Sequence, residues 1–367
     1  MKFKRWPIIA LPALSVMAFA AGSDLSNVPN ANPKAAGLSS PNVLSSELRE
    51  TPVAQGSIKM ENSGPCGTST VSFYGYDDNG PMLPALASNI EASKTEPDKN
   101  TYLVLDRQEG ADPHYDYGHH FIFQGHEGGL CGVITRINLD ADQTHRVTLM
   151  ATRDVNGAPL NVIDGSTWYP FSQHLLFTTE NVNVTGVYQA TLDVPSRVED
   201  LGVIMGHGAY EGIQSDDHGR LIIVEDLGGS TGTANPHAKQ PNSFIYRFLP
   251  TNPSNLMLGG KLQALQVTSL RTGTPIVFHS GQVDADIKSN DVLDLHTYGK
   301  VFTTAWVTLH DTAVDPPGAF NANALAKTKG ATPFKRPENG QFRPGSGFNE
   351  FIFDETGDTD NRTEAGS

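Results

Sequence analysis

Between Val203 and Gly229 the chain spells out one complete unit of architecture. A glycine loop, Gly206-His207-Gly208, leads into Tyr210-Glu211-Gly212-Ile213-Gln214. Asp216-Asp217-His218-Gly219 follows, and glycine after Asp or His favours the positive φ of a tight turn. Arg220 to Val224 is β-rich and apolar enough to require burial, and it ends in Glu225-Asp226. The stretch therefore predicts a hairpin whose return strand carries Glu225 and Asp226 to the sheet edge that holds Glu211. His207, Glu211, Glu225 and Asp226 all fall at loop ends. Carboxylates gathered in this way repel one another unless a cation neutralises them. Oxygen-only ligands suit Ca²⁺ or Mg²⁺ better than Zn²⁺. Taken singly, each of these acids reads as part of a solvated turn.

The same rhythm of strand, glycine-rich loop and strand runs through the chain. Strands are predicted at Thr70 to Tyr76, Thr101 to Asp106, Phe121 to Phe123, Gly132 to Leu139 and His145 to Ala151. More follow at Leu175 to Thr179, at Ser243 to Leu249 with Phe244, Tyr246 and Phe248 on one face, at Lys261 to Val267, Val301 to Leu309 and Phe348 to Phe353. Gly125 to Gly129 reads as a loop, and Asp164 to Pro170 as a turn. Only Ala319 to Lys327 has a helical look. The expected fold class is all-β. With 367 residues, 36 Gly and 24 Pro, it is expected to be β-propeller-like, although no strict period is visible. Propeller loops converge at the mouth of the axis, which would bring Glu180, Glu211, Glu225, Asp226 and Glu338 together from distant parts of the sequence. His119, His120 and His126 are possible metal ligands. Adjacent residues of a strand face opposite ways, so at least two of the three are expected in solvent or in the core.

The remaining organisation follows from composition. Lys2, Lys4 and Arg5, then the apolar run from Ile8 to Phe19, then Ala18-Phe19-Ala20, lead us to expect a Sec-type signal peptide over residues 1–21, the alternative being an uncleaved anchor. The protein is expected to be secreted or periplasmic, with no membrane span after cleavage. Residues 22–60, rich in Ser, Asn, Pro and Ala, read as a mostly irregular linker or wrapping arm. Residues 61–356 form the β domain, and 357–367 a polar tail. Asp77-Asp78-Asn79-Gly80 lacks the further ligands of an EF-hand and reads as a turn. The net charge of −14 argues against nucleic acid as a partner. Cys66 and Cys131 either form one disulfide or leave Cys131 as a buried thiol.

In four ordered pieces the chain resembles the PhoX-type alkaline phosphatases, secreted calcium- and iron-dependent phosphomonoesterases. Trp168 to Glu180 resembles a tryptophan-containing turn followed by a strand that ends in a metal-binding glutamate. His207 to Gly212 resembles a His-Glu-Gly segment, with Tyr210 in place of a histidine. Glu225-Asp226 and Phe244 to Phe248 resemble an acidic strand end and the Tyr-x-Phe strand after it. Arg336-Pro337-Glu338 matches an Arg-Pro-Glu element.

The resemblance implies a small phosphate-ester substrate, held by Arg336, with Glu338 on metal. It implies metal ligands at Glu180, Glu211, Glu225, Asp226 and Glu338, and calcium, with iron, as cofactors. In the family a cysteine iron ligand precedes the tryptophan turn. This chain has Asn161-Val162-Ile163-Asp164 there, and Asp164 is the hard ligand on offer. The chain also ends soon after Phe353, which leaves three expectations: a missing C-terminal blade, a truncated gene product, or an oligomer that completes the ring. Arg336 and Glu338 lie two apart around Pro337, which predicts an extended or turn backbone with both side chains on one side. No Gly-x-Ser-x-Gly elbow or P-loop is present. Two other readings stand beside the phosphatase: a non-catalytic exported calcium-binding propeller, and a propeller lactonase or other hydrolase.

Overall fold

The computed structural model describes residues 25–27, 44–56, 58–76 and 94–357. The predicted signal peptide, the Asp77–Gly80 turn, much of the 22–60 arm and nearly all of the tail lie outside these residues. The chain divides into two units, Met1–Pro52 and Val53–Ser367. In the first, the Glu47 carboxylate accepts the backbone N–H of Ser26 at 3.0 Å.

The second unit is built from small antiparallel sheets, as an all-β chain should be. A hairpin of β1 (Lys59–Cys66) and β2 (Ser69–Phe73) comes first. Next is a four-stranded meander of β3 (Glu96–Val104), β4 (His120–Glu127), β5 (Val133–Asn138) and β6 (Val147–Ala151). A second follows: β7 (Ser166–Tyr169), β8 (His174–Thr178), β9 (Val187–Ala190) and β10 (Val198–Asp200). The third has five strands: β11 (Tyr210–Ser215), β12 (Leu221–Glu225), β13 (Ile245–Pro250), β14 (Gly260–Val267) and β15 (Thr304–Asp311). The last is a hairpin of β16 (Pro337–Phe342) and β17 (Phe351–Glu355). Among the described residues no sheet closes into a barrel, and no propeller ring is completed. Nor is any helix among them long and apolar enough to cross a membrane.

Each strand pairs with its neighbour in sequence, so every sheet has two faces, and successive sheets bury them against one another. Phe121, Phe123 and Ile134 of the first meander pack with Leu175, Phe177 and Tyr188 of the second. Tyr169, Leu176 and Val187 of the second pack with Ile213, Ile223, Tyr246 and Phe248 of the third. Phe244, Tyr246 and Phe248 are fully buried, as their alternation predicts. Cys66 and Cys131 form a disulfide that ties β1 to the loop before β5. Burying this much apolar side chain is the main stabilising term in a fold with so few helices.

The first strands of the successive meanders lie side by side: β3 against β7, β7 against β11, and β11 against β16. Two glycines allow this approach. A Cβ on Gly165 would sit 2.2 Å from the carbonyl oxygen of Glu211. A Cβ on Gly212 would come within 3.0 Å of the Asn339 backbone. Hydroxyls lace the same seam. Ser166 donates to the Lys99 carbonyl at 3.0 Å, and Thr178 Oγ1 donates to the carbonyl of Glu211.

Three local expectations change. Trp168 lies in strand β7 rather than in a turn, paired with Leu175; the turn comes after Pro170 and closes at Gln173, where φ is 57°. The expected loop at Gly125 to Gly129 is strand as far as Glu127, because Gly125 lets β4 pack against Ile163. The backbone at Arg336 is left-handed, with φ of 53°, and the strand starts only at Pro337.

Candidate metal centre

The seam of first strands carries carboxylates. Asp98 lies on β3, Glu127 ends β4, Asp164 precedes β7, Glu180 follows β8 and Glu211 lies on β11. Carboxylate oxygens of Asp164, Glu180 and Glu211 approach within 4.8 Å of one another, and so do those of Asp98, Glu127 and Asp164. Asp164 belongs to both groups, so five acids form one cluster. Glu338 on β16 adds its charge to Asp98, Glu127 and Asp164, and it accepts a hydrogen bond from Thr356 Oγ1 at 2.6 Å.

Burial removes water from these groups, and proximity makes each oppose ionisation of the next. Burial pushes Asp164 up to about 7 and Glu180 to about 8, with neighbouring carboxylates adding to both. Glu211 is pushed furthest, to about 12, by burial and then by its contacts with Asp164 and Glu180. Asp98 and Glu127 are also raised, burial again being the first cause. The cationic neighbour is Lys99, whose buried ammonium has no hydrogen-bond partner. A cluster of this kind holds protons, or it holds a cation. Its donors are all oxygens, which fits calcium; no thiolate or imidazole is among them.

Compared with known family models and with curated proteins, the chain matches none.

The remaining predicted site residues lie apart from the cluster. The hairpin does bring Glu225 and Asp226 to the edge that carries Glu211: Tyr210 pairs with Glu225, and the Asp226 N–H donates to the Ala209 carbonyl at 2.8 Å. The side chains then diverge. Glu225 is fully buried on the other face, where one oxygen accepts from the Phe244 N–H at 3.1 Å, Tyr246 Oη at 2.7 Å and Asn323 Nδ2 at 2.9 Å. Burial pushes it up to about 7, while those three donors hold it down. Asp226 takes the Arg336 guanidinium in a two-pronged contact of 2.7 and 2.5 Å. The Nη2 of Arg336 is 3.8 Å from Glu338.

Of the three histidines, His119 and His120 are exposed and lie beside Asp106 and Asp140. His126 is buried with Thr95 and Thr135 hydroxyls 2.8 Å from its two nitrogens, and burial pushes it down to about 3. A third acidic group, Asp216-Asp217-His218, is the β11–β12 turn, in which Asp216 is occupied by Arg220 and by backbone N–H groups.

Sequence reasoning missed Asp98, Glu127 and Lys99. Glu127 had a readable signal, since it stands at the exit of a second strand, as Glu180 does. Asp98 had none: it sits after Pro97 in an irregular part of β3, where register shifts against β4.

Proposed function

We propose that this protein is an exported, divalent-cation-dependent phosphomonoesterase built on an incomplete β-propeller. The observation that carries the reading is the convergence of five carboxylates from three successive meanders, with Glu338 from a fourth element close by. A propeller places the first strand of every blade at its axis, and β3, β7, β11 and β16 occupy equivalent places in their sheets. The ordered resemblance to the PhoX-type phosphatases supplies the substrate class.

In this reading Asp164, Glu180 and Glu211, with Asp98 and Glu127, hold calcium. The bound cation would neutralise phosphoryl charge and orient an oxygen nucleophile. Arg336, its plane fixed by Asp226 and its Nη2 3.8 Å from Glu338, would offer N–H donors to non-bridging oxygens. Glu338 adds a carboxylate beside it.

The test is hydrolysis of a chromogenic phosphate monoester by purified protein, with and without calcium and iron, beside a lactone. Calcium-dependent turnover of the ester, lost in Glu211→Gln and Arg336→Ala, supports the reading. Lactone hydrolysis alone would overturn it. One observation favours a non-catalytic cation-binding protein instead: both prongs of Arg336 are already engaged by Asp226. That reading expects thermal stabilisation by calcium with no turnover of either substrate.

A further inference from the structure

Beside the carboxylate cluster lies a cavity of about 390 Å³, bounded by β3 on one side and the β16–β17 hairpin on the other. Lys99, Asn339, Phe342, Ile352, Phe353 and Asp354 contribute to its mainly apolar lining. This volume falls within the usual range of small-molecule sites, roughly 300–1,000 Å³. Lys99 belongs to both places. It lines the cavity, and its charged neighbours are Asp164, Asp98, Glu211 and Asp354. Its ammonium is buried without a hydrogen-bond partner, although the group has three protons to donate. Burial lowers the Lys99 pKa while the surrounding carboxylates hold it up, and an acceptor that arrives with the ligand would supply the hydrogen bond Nζ lacks.

We propose that Lys99 holds the anionic group of the substrate next to the cation site and that the cavity takes the organic part. Preferred substrates are then phosphate monoesters of apolar or aromatic alcohols. The proposal rests on the phosphomonoesterase reading and deepens it. Phosphate oxygens match a lysine ammonium well. Phe342, Ile352 and Phe353 give the leaving group an apolar wall; Ile352, now 60% exposed, would lose water when the cavity fills. Arg343, also on the lining, is paired with Glu350 at 2.8 Å on the exposed side of the cavity. Asp98 and Asp354 repel an anion, so binding requires calcium first.

The test uses the calcium-loaded full chain and phenylphosphonate, a non-hydrolysable anion with an aromatic group, followed by calorimetry. Lys99→Gln is expected to weaken phenylphosphonate binding by about tenfold or more, Lys99→Arg to restore most of it, and calcium to bind Lys99→Gln no more weakly than wild type. Ile352→Asp, at an exposed position, is expected to lower the kcat/KM ratio of phenyl phosphate over glycerol phosphate by roughly threefold or more. Lys99-dependent phenylphosphonate binding without turnover of any ester would keep the anion site and remove the hydrolase reading. Ester turnover that is indifferent to Lys99→Gln and to leaving-group polarity would do the reverse. No phenylphosphonate binding in the presence of calcium overturns the proposal.

Discussion

Glu211 and Glu225 lie on paired strands of one sheet, and both are buried, yet their surroundings are opposite. Tyr210 pairs with Glu225, so alternation sends Glu225 to one face and Glu211 to the other. On its face, Glu225 meets a backbone N–H, a phenol and an amide that all donate to its Oε2, while Oε1 is buried without a donor. On the other, Glu211 meets Asp164 and Glu180. Both carboxyls resist ionisation, for different reasons: Glu225 through burial alone, Glu211 through burial and like charge together. A buried carboxylate supplied with its own donors is a structural part. One surrounded by other carboxylates must keep protons or, as we propose, take a cation.

The sharpest way to break this comparison is to remove the structural acid. Glu225→Ala would take the acceptor from the Phe244 N–H and Tyr246 Oη and one of two acceptors from Asn323 Nδ2, and is expected to cost about 3–5 kcal/mol in denaturant unfolding. Calcium should still stabilise whatever protein remains folded. A smaller loss, or a lost response to calcium, would mean that Glu225 belongs with the metal acids after all.

The next largest effect is on pH dependence. Folded Asp164 and Glu180 bind protons up to about 7 and about 8, against ordinary values of 3.8 and 4.5. Between those limits the unfolded chain holds fewer protons than the folded one. Stability of the metal-free protein should therefore be greatest near the acidic end and fall as pH rises from 4.5 through 8. Glu225, raised to about 7, contributes with the same sign. Saturating calcium should remove the share due to the cluster and leave that of Glu225. Thermal melts across this range, with and without calcium, separate the two.

The smallest effect sharpens the same contrast. Glu211, pushed up to about 12, keeps its proton in the metal-free folded protein at pH 8, so Glu211→Gln removes the cost of holding that proton and should raise metal-free stability there by about 1 kcal/mol. It should also weaken calcium binding by about tenfold. Glu225→Gln should leave calcium binding unchanged.

Much of this arrangement was legible in the residues. Alternation placed Phe244, Tyr246 and Phe248 in the core, and Asp216 to Gly219 declared the β11–β12 hairpin, because both signals are local. That Asp164, Glu180 and Glu211 stand at strand ends was readable, and the structure brings their oxygens within 4.8 Å of one another. Their separation from Glu225 was not, because it depends on the side of the strand each residue faces and on the register shift between Tyr210 and Ile213. Asp98 was invisible because Pro97 and the irregular pairing of β3 obscure its strand. Arg336 lies 3.8 Å from Glu338, as their spacing implied, but its two-pronged contact with Asp226 joins distant segments and could not be read from spacing. Whether the sheets complete a ring is likewise a property of long-range packing rather than of any window of sequence.

The most direct measurement is calcium-dependent thermal stability of three proteins: wild type, Glu225→Gln, and the triple variant Asp164→Asn, Glu180→Gln, Glu211→Gln. At calcium about a hundredfold above its dissociation constant, wild type and Glu225→Gln should each gain about 2.7 kcal/mol, and the triple variant should gain nothing. An equal gain in the triple variant, or none in wild type, would contradict the account.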